Sequence, residues 1–165
     1  MLPKTTDLCD AHEGKIQVAE PIGFKDFGGN KNFNGKIETV KCFEDNSFVR
    51  KALEQNGEDK VLVIDGGGSM RCALLGDMLG DLAIKNKWNG IIVYGCIRDS
   101  VAMANLALGV KALQAIPLKS NKRNEGQQNI PVCFAGVNFI PSEFVYCDED
   151  GIIVSQTPLN PLKGT

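Results

Sequence analysis

Two short runs of wholly apolar, mostly β-branched residues constrain this chain more than any other feature: Val61-Leu62-Val63-Ile64 and Ile91-Ile92-Val93-Tyr94. A strand with one face in water alternates apolar and polar residues. Runs without alternation read as strands covered on both faces, the situation of parallel strands between other layers. Each run ends in a glycine-bearing turn, Asp65-Gly66-Gly67-Gly68-Ser69 and Gly95-Cys96-Ile97-Arg98-Asp99. Between them, a helix is expected somewhere in residues 70–87, with Leu74, Leu75, Met78, Leu79 and Leu82 on its apolar face. A second helix is expected over 101–108, stopped by Gly109.

The flanks read differently. Residues 6–11 suggest a short capped helix, with His12 as a surface residue capping or decorating it. Gly28-Gly29-Asn30 and Asn34-Gly35 are turn signals before a strand over 36–43. Asp45 or Asn46 can cap a helix running to about Asn56, with Gly57 at its end. Further strand signals lie at 111–116, 132–140 and 144–147, and Asp148-Glu149-Asp150-Gly151 reads as a hairpin turn into Ile152-Ile153-Val154. Strand and helix alternate in the middle, and the last third is mostly β. The expectation is one layered α/β domain over residues 1–165, a length that supports its own core.

Composition removes several function classes. The 18 Lys+Arg and 20 Asp+Glu leave a net charge of −2, without the basic excess of a phosphate-backbone binder, so no direct nucleic-acid contact is expected. No apolar run is long enough to cross a bilayer, and the first residues lack a secretory signal, so a cytoplasmic protein is expected. The six cysteines show no CxxC pair, which reads as free thiols. With His12 the sole histidine, neither a tetrahedral zinc site nor a histidine-based triad is expected.

Three features remain that can carry chemistry. Gly66–Gly68 fails both the dinucleotide and the P-loop patterns, leaving a tight turn or a ligand-facing loop. Asp77, in Gly76-Asp77-Met78-Leu79, is either a helix N-cap with free amides around it, suited to a carboxylate, or a residue on the solvated face of a helix begun near Ser69. Arg98-Asp99 follows a buried strand, where open α/β sheets place ligands. If the two apolar strands are neighbours, Asp77, Arg98, Asp99 and the glycines converge on one edge. Carboxylates there suit Mg²⁺ or Mn²⁺, which keep much of their water. Lys119, Lys122 and Arg123 sit in a polar loop, read as solvated, though it could reach an anionic group bound at that edge.

The segments 61–69, 76–79 and 90–99 resemble the regulator of ribonuclease activity A family, which also contains the 4-hydroxy-4-methyl-2-oxoglutarate aldolases. The resemblance runs from Asp7-Leu8-Cys9-Asp10 to Ser155-Gln156 and includes 40–46 and 116–119. The enzymatic branch is marked by an Asp, twenty residues, then Arg-Asp, a spacing that Asp77 and Arg98-Asp99 meet. The best-known ribonuclease inhibitor of the family has lost that set. The resemblance therefore implies a layered α/β/β fold and a metal-dependent pyruvate aldolase with oxaloacetate decarboxylation as a side activity. It further implies that Asp99 holds the cation, Asp77 supports its water shell, Arg98 contacts the keto oxygen of a small 2-oxo acid, and the Gly76, Asp77, Met78 and Leu79 amides take its carboxylate. The implied assembly is a homotrimer or hexamer with sites near subunit boundaries, and an endoribonuclease is the alternative partner. Phe134, Phe139 and Phe144 are expected to supply some of the apolar contact surface.

Overall fold

A computed structural model describes residues 1–160. In chain order the elements are α1 (Thr5–Ala11), β1 (Gln17–Val18), β2 (Lys25–Asp26), β3 (Phe33–Lys41), α2 (Ser47–Leu53), β4 (Lys60–Asp65), β5 (Ala73–Leu75) and α3 (Asp77–Lys85). They continue as β6 (Gly90–Ile97), α4 (Ser100–Ala104), β7 (Gly109–Ala115), β8 (Gln127–Gln128), β9 (Val132–Phe134), β10 (Val137–Phe139), β11 (Phe144–Asp148) and β12 (Gly151–Ser155). The main sheet runs β1-β12-β11-β3-β4-β6-β7-β2, with β5 added beside β6 and β8 beside β3.

The two apolar runs are neighbouring parallel strands, with Val61 opposite Gly90 and Ile64 opposite Val93. Their alternate residues enter two different cores, which is why neither run tolerates a polar residue. Leu62, Ile64, Ile91 and Val93 pack under the helices, among Val49, Leu53, Leu79 and Met103. Val61, Val63 and Ile92 face the other way, against Val132, Phe134, Val137 and Phe139 of the β9–β10 hairpin. Helices, sheet and hairpin thus form α, β and β layers, as expected. A third small cluster, Leu8 with Tyr146 and Ile153, docks α1 on β11 and β12.

Several local expectations give way. The helix expected within 70–87 is α3, but its apolar face differs: Leu74 and Leu75 belong to β5, and Met78 is 73% exposed. The apolar spacing that suggests one helix face is divided between a strand and the helix behind it. After Asp65 the chain leaves the sheet, and β5 returns to take the place of β4 along the C-terminal half of β6, Ala73 opposite Cys96. Asn34-Gly35 is no turn but part of β3, where the glycine answers a demand for space: a Cβ at Gly35 would lie 2.8 Å from the Asp59 carbonyl oxygen. Helix α2 stops at Leu53, and Gly57 instead gives room to the Trp88 ring. Helix α4 likewise ends at Ala104 rather than Leu108. Phe134 and Phe139 are buried and stacked, with ring centroids 4.4 Å apart, so they offer no contact surface. His12 terminates α1, its ring Nε2 2.9 Å from the Asn160 carbonyl oxygen. All six cysteines are free thiols, and no helix among the described residues is long and apolar enough to cross a membrane.

Candidate active site

The parallel strands β6 and β7 and the short β5 all point their C-terminal ends at one edge of the sheet, and there the chain makes two turns of use. The first is β5 into α3. Gly76 is the N-cap and Asp77 the first helical residue, so the helix starts one position earlier than an Asp77 cap implies and well after Ser69. The first intrahelical bond is donated by Gly80 to the Gly76 carbonyl. Ahead of it, the amides of Met78 and Leu79 meet no acceptor among the described residues, as the first turn of a helix requires. The second turn is β6 into α4. Asp99 sits in the left-handed region (φ 56°, ψ 45°), a conformation that Asp and Asn tolerate better than other side chains.

That turn swings the Asp99 carboxylate back across the sheet edge. Its Oδ2 accepts the Asp77 amide at 3.2 Å and lies 4.0 Å from Arg98 Nε. Arg98 is pinned by its own amide, which donates to the Leu75 carbonyl at 2.9 Å. Asp77, Arg98 and Asp99 therefore stand together although Asp77 and Asp99 are 22 positions apart in the chain. Gly76 is what permits it: a Cβ there would be 2.8 Å from Asp99 Oδ2 and 3.4 Å from Arg98 Cγ. Its φ of −134° is open to any residue, so the demand is for space and not for a glycine conformation. Gly76→Ala should leave the melting temperature nearly unchanged yet cut turnover about tenfold or more, since small misplacements of reacting groups are costly. Steady-state rates beside a thermal melt check this.

Two hollows share these three residues. The narrower, 170 Å³, is walled by Met78 and Leu79 on one side and by Asn46, Arg50, Lys119, Ser120 and Lys122 on the other. The wider is an open groove of 650 Å³ bordered by Val101, Ile116 and Pro117. Four cationic side chains (Arg50, Arg98, Lys119, Lys122) face two carboxylates in the narrow hollow, an excess that suits a dianionic ligand. Lys119 and Lys122 are exposed, as the solvated-loop reading has it, and they also border this hollow. That reading also holds for Arg123, whose Nε lies 3.7 Å from Glu125 Oε2 and which does not line the hollow.

The sequence marks neither Arg50 nor Asn46 as a site residue (Asn46 only as a possible cap of α2), because nothing in the spacing of α2 connects it to residues 77–99. What carries them to the site is Asp45. Its Oδ1 accepts the Ser47 amide (2.9 Å) and hydroxyl (2.6 Å), and its Oδ2 accepts the amides of Arg123 (2.7 Å) and Glu125 (3.1 Å). One buried carboxylate thereby caps α2 and staples the 119–125 loop beside it. Burial alone would raise its pKa, but these hydrogen bonds outweigh burial and hold it at about 2. Asn46 adds its own amide to Ser120 Oγ and its side-chain nitrogen to the Leu74 carbonyl, while its buried Oδ1 has no donor.

The glycines do not join the site. Gly66 and Gly68 donate to the Tyr94 carbonyl and Gly67 to Asp65 Oδ1, so 66–68 is a tight turn, with Gly67 and Gly68 at φ +67° and +71°. For a cation, the donor set is sparse: no group of three His, Cys, Asp or Glu exists among the described residues. Asp99 and Asp77 fit a hard divalent ion that keeps most of its waters and do not fit a protein-caged transition metal.

The family model described as RraA-like, aldolase/RraA, matches residues 5–154. A Pseudomonas aeruginosa protein provisionally named 4-hydroxy-4-methyl-2-oxoglutarate aldolase is 56% identical over 155 residues, 94% of this chain and 95% of its own. A like-named protein from Aromatoleum aromaticum is 55% identical, over 94% of this chain and 98% of its own. Among solved structures, the RNA-processing inhibitor RraA from Thermus thermophilus superposes with a TM-score of 0.93 at 40% identity, covering 99% of both chains. A Geobacillus kaustophilus structure described as an S-adenosylmethionine:2-dimethylmenaquinone methyltransferase gives 0.92 at 43% identity, covering 94% of this chain and 96% of that one. Matched over nearly its whole length in sequence and in fold, this chain belongs to the RraA-like, aldolase/RraA family.

Proposed function

We propose that this protein is a divalent-metal-dependent lyase that cleaves 4-hydroxy-4-methyl-2-oxoglutarate and related 4-hydroxy-2-oxo acids to pyruvate, with oxaloacetate decarboxylation as a second activity. The observation that carries the reading is the meeting of Asp77, Arg98 and Asp99 at a hollow that also offers two free helix amides and a cationic wall. The aldolase names of relatives at 55–56% identity support it.

In this reading the substrate's C1 carboxylate lies at the N-terminus of α3 and accepts the Met78 and Leu79 amides, where the helix dipole also favours an anion. Arg98 reaches the C2 keto oxygen. As the 4-hydroxyl gives up its proton to water and C4 becomes the carbonyl carbon of the second product, the C3–C4 bond breaks, its electron pair passes into the C2–C3 unit and negative charge grows on the C2 oxygen. A guanidinium fixed beside it stabilises the transition state more than the ground state. Protonation at C3 then gives pyruvate, and loss of CO₂ from oxaloacetate builds the same charge on the same atom. Asp99 would hold Mg²⁺ or Mn²⁺, with Asp77 supporting its water shell. The bound cation supplies a Lewis acid at the keto oxygen. Lys119, Lys122 and Arg50 face the remaining carboxylate. Arg98→Lys should lower kcat and not merely raise KM, because the planar fork is lost at the developing charge. A change confined to KM would make Arg98 a plain binding group.

A non-enzymatic inhibitor of an endoribonuclease is the second reading, favoured by the 40% identity to the Thermus RNA-processing inhibitor. An inhibitor needs a surface patch and has no use for the Asp77 carboxylate. Asp77→Ala should abolish lyase turnover and leave ribonuclease binding untouched, and charge reversal at Lys122 and Arg123 tests whether the exposed loop matters to either activity. Assembly into a trimer or hexamer is part of the proposal. Val101 (81% exposed), Met78 and Leu118 place apolar surface around the site rather than in the β-rich third. Light scattering at micromolar concentration should give at least a trimer, and a monomer would refute it.

A further inference from the structure

A second cavity lies apart from the candidate active site and shares no residue with it. It has a volume of about 470 Å³, within the range of pre-formed small-molecule sites, and opens between α1, the β11–β12 turn and the segment joining β1 to β2. Val18, Phe24 and Ile152 give it apolar walls. Its one cationic lining residue is Lys111, on β7, whose side chain is only 3% exposed. Lys111 Nζ lies 3.0 Å from Asp26 Oδ1, yet that oxygen meets no aligned hydrogen-bond donor. The ion pair engages at most one of the ammonium's three N–H groups, so at least two retain the capacity to donate to a ligand. Around the opening stand four exposed carboxylates, Asp10, Glu20, Glu149 and Asp150.

A buried cation beneath an anionic rim and apolar walls is a specific combination. A simple anion is repelled at the rim, and a simple cation meets Lys111 inside. We propose that this cavity binds a small zwitterion with an apolar body, an amino acid with an apolar side chain, its carboxylate accepting from Lys111 and its ammonium facing the acidic rim. The proposal stands independently of the lyase reading.

Calorimetric titration with L-leucine, 4-methylpentanoate (leucine without its amine) and 3-methylbutylamine (leucine without its carboxylate) tests it on the intact wild-type protein. Leucine should bind in the millimolar range or tighter, and each single-charge counterpart at least about tenfold weaker, the least that losing one charged contact removes. Cys9 lines the cavity and Cys133 is exposed outside it, so leucine should slow alkylation of Cys9 by N-ethylmaleimide and leave Cys133 unchanged. Glu20→Gln with Glu149→Gln, both exposed, should weaken leucine and strengthen 4-methylpentanoate, an opposite movement that loss of fold cannot produce. Lys111→Met strands the Asp26 carboxylate, so it is paired with Lys111→Met/Asp26→Leu, which removes both charges; either folded variant should lose the preference for leucine over the amine. No binding of leucine at millimolar concentration, equal binding of all three probes, or unprotected Cys9 overturns the proposal.

Discussion

Replacing Asp99 by asparagine should cost the protein about 10²-fold or more of its pyruvate-forming turnover while leaving the fold intact, the scale on which a preorganised electrostatic contact acts. The substitution is chosen for what it preserves. Asp99 holds φ 56° and ψ 45°, and asparagine is as well suited to that region as aspartate. Its amide oxygen can still accept the Asp77 amide that Oδ2 now takes at 3.2 Å, so the start of α3 stays in place. What disappears is the negative charge, and with it the side chain best placed to hold a cation. Turnover with Mg²⁺ and Mn²⁺, read beside far-ultraviolet dichroism and a thermal melt, separates the two contributions. Unchanged turnover in a folded variant removes Asp99 from the mechanism.

Asp45→Ala should have the largest effect on stability. It strands two loop amides and an N-terminal amide of α2 at a position that is 1% exposed, a loss of about 3 kcal/mol or more, which for a chain of this size lowers the melting temperature by about 6–12 °C. Acid should reveal the same residue in the wild type. The folded carboxyl titrates at about 2 and the ordinary value is 3.8, so its contribution is present above pH ~4 and is lost as pH falls towards 2. Asp45→Asn should flatten stability over that window. Because the same carboxylate staples the loop that carries Lys119 and Lys122, a folded Asp45 variant should also show a raised KM. Chemical denaturation from pH 2 to 7 checks the stability claim and steady-state kinetics the other.

The part of the fold that could be read in the sequence is the part where one residue type answers one demand. The unalternating runs 61–64 and 91–94 had to be strands between two layers, and they are. Arg98-Asp99 had to stand at the end of such a strand. Leu74 and Leu75 misled because a three-residue strand and a following helix can share a helical spacing by accident, and only pairing with β6 distinguishes them. The glycines at 66–68 carried a backbone signal and no ligand signal, and the turn they make is occupied by the Tyr94 carbonyl. Asn46 and Arg50 could not be found at all from spacing. Their place at the site depends on β4 and β6 being adjacent and on the Asp45 staple, both of which are contacts between residues distant in the chain.

The most direct test of the central claim is pyruvate release from purified protein given 4-hydroxy-4-methyl-2-oxoglutarate, with Mg²⁺ or Mn²⁺ and then with EDTA. The arrangement of Asp77, Arg98 and Asp99 predicts pyruvate formation that the chelator abolishes and added cation restores, and that Asp77→Ala lacks. No pyruvate with any divalent cation, together with lowered RNA cleavage when the protein is added in stoichiometric amounts to an endoribonuclease, would contradict it.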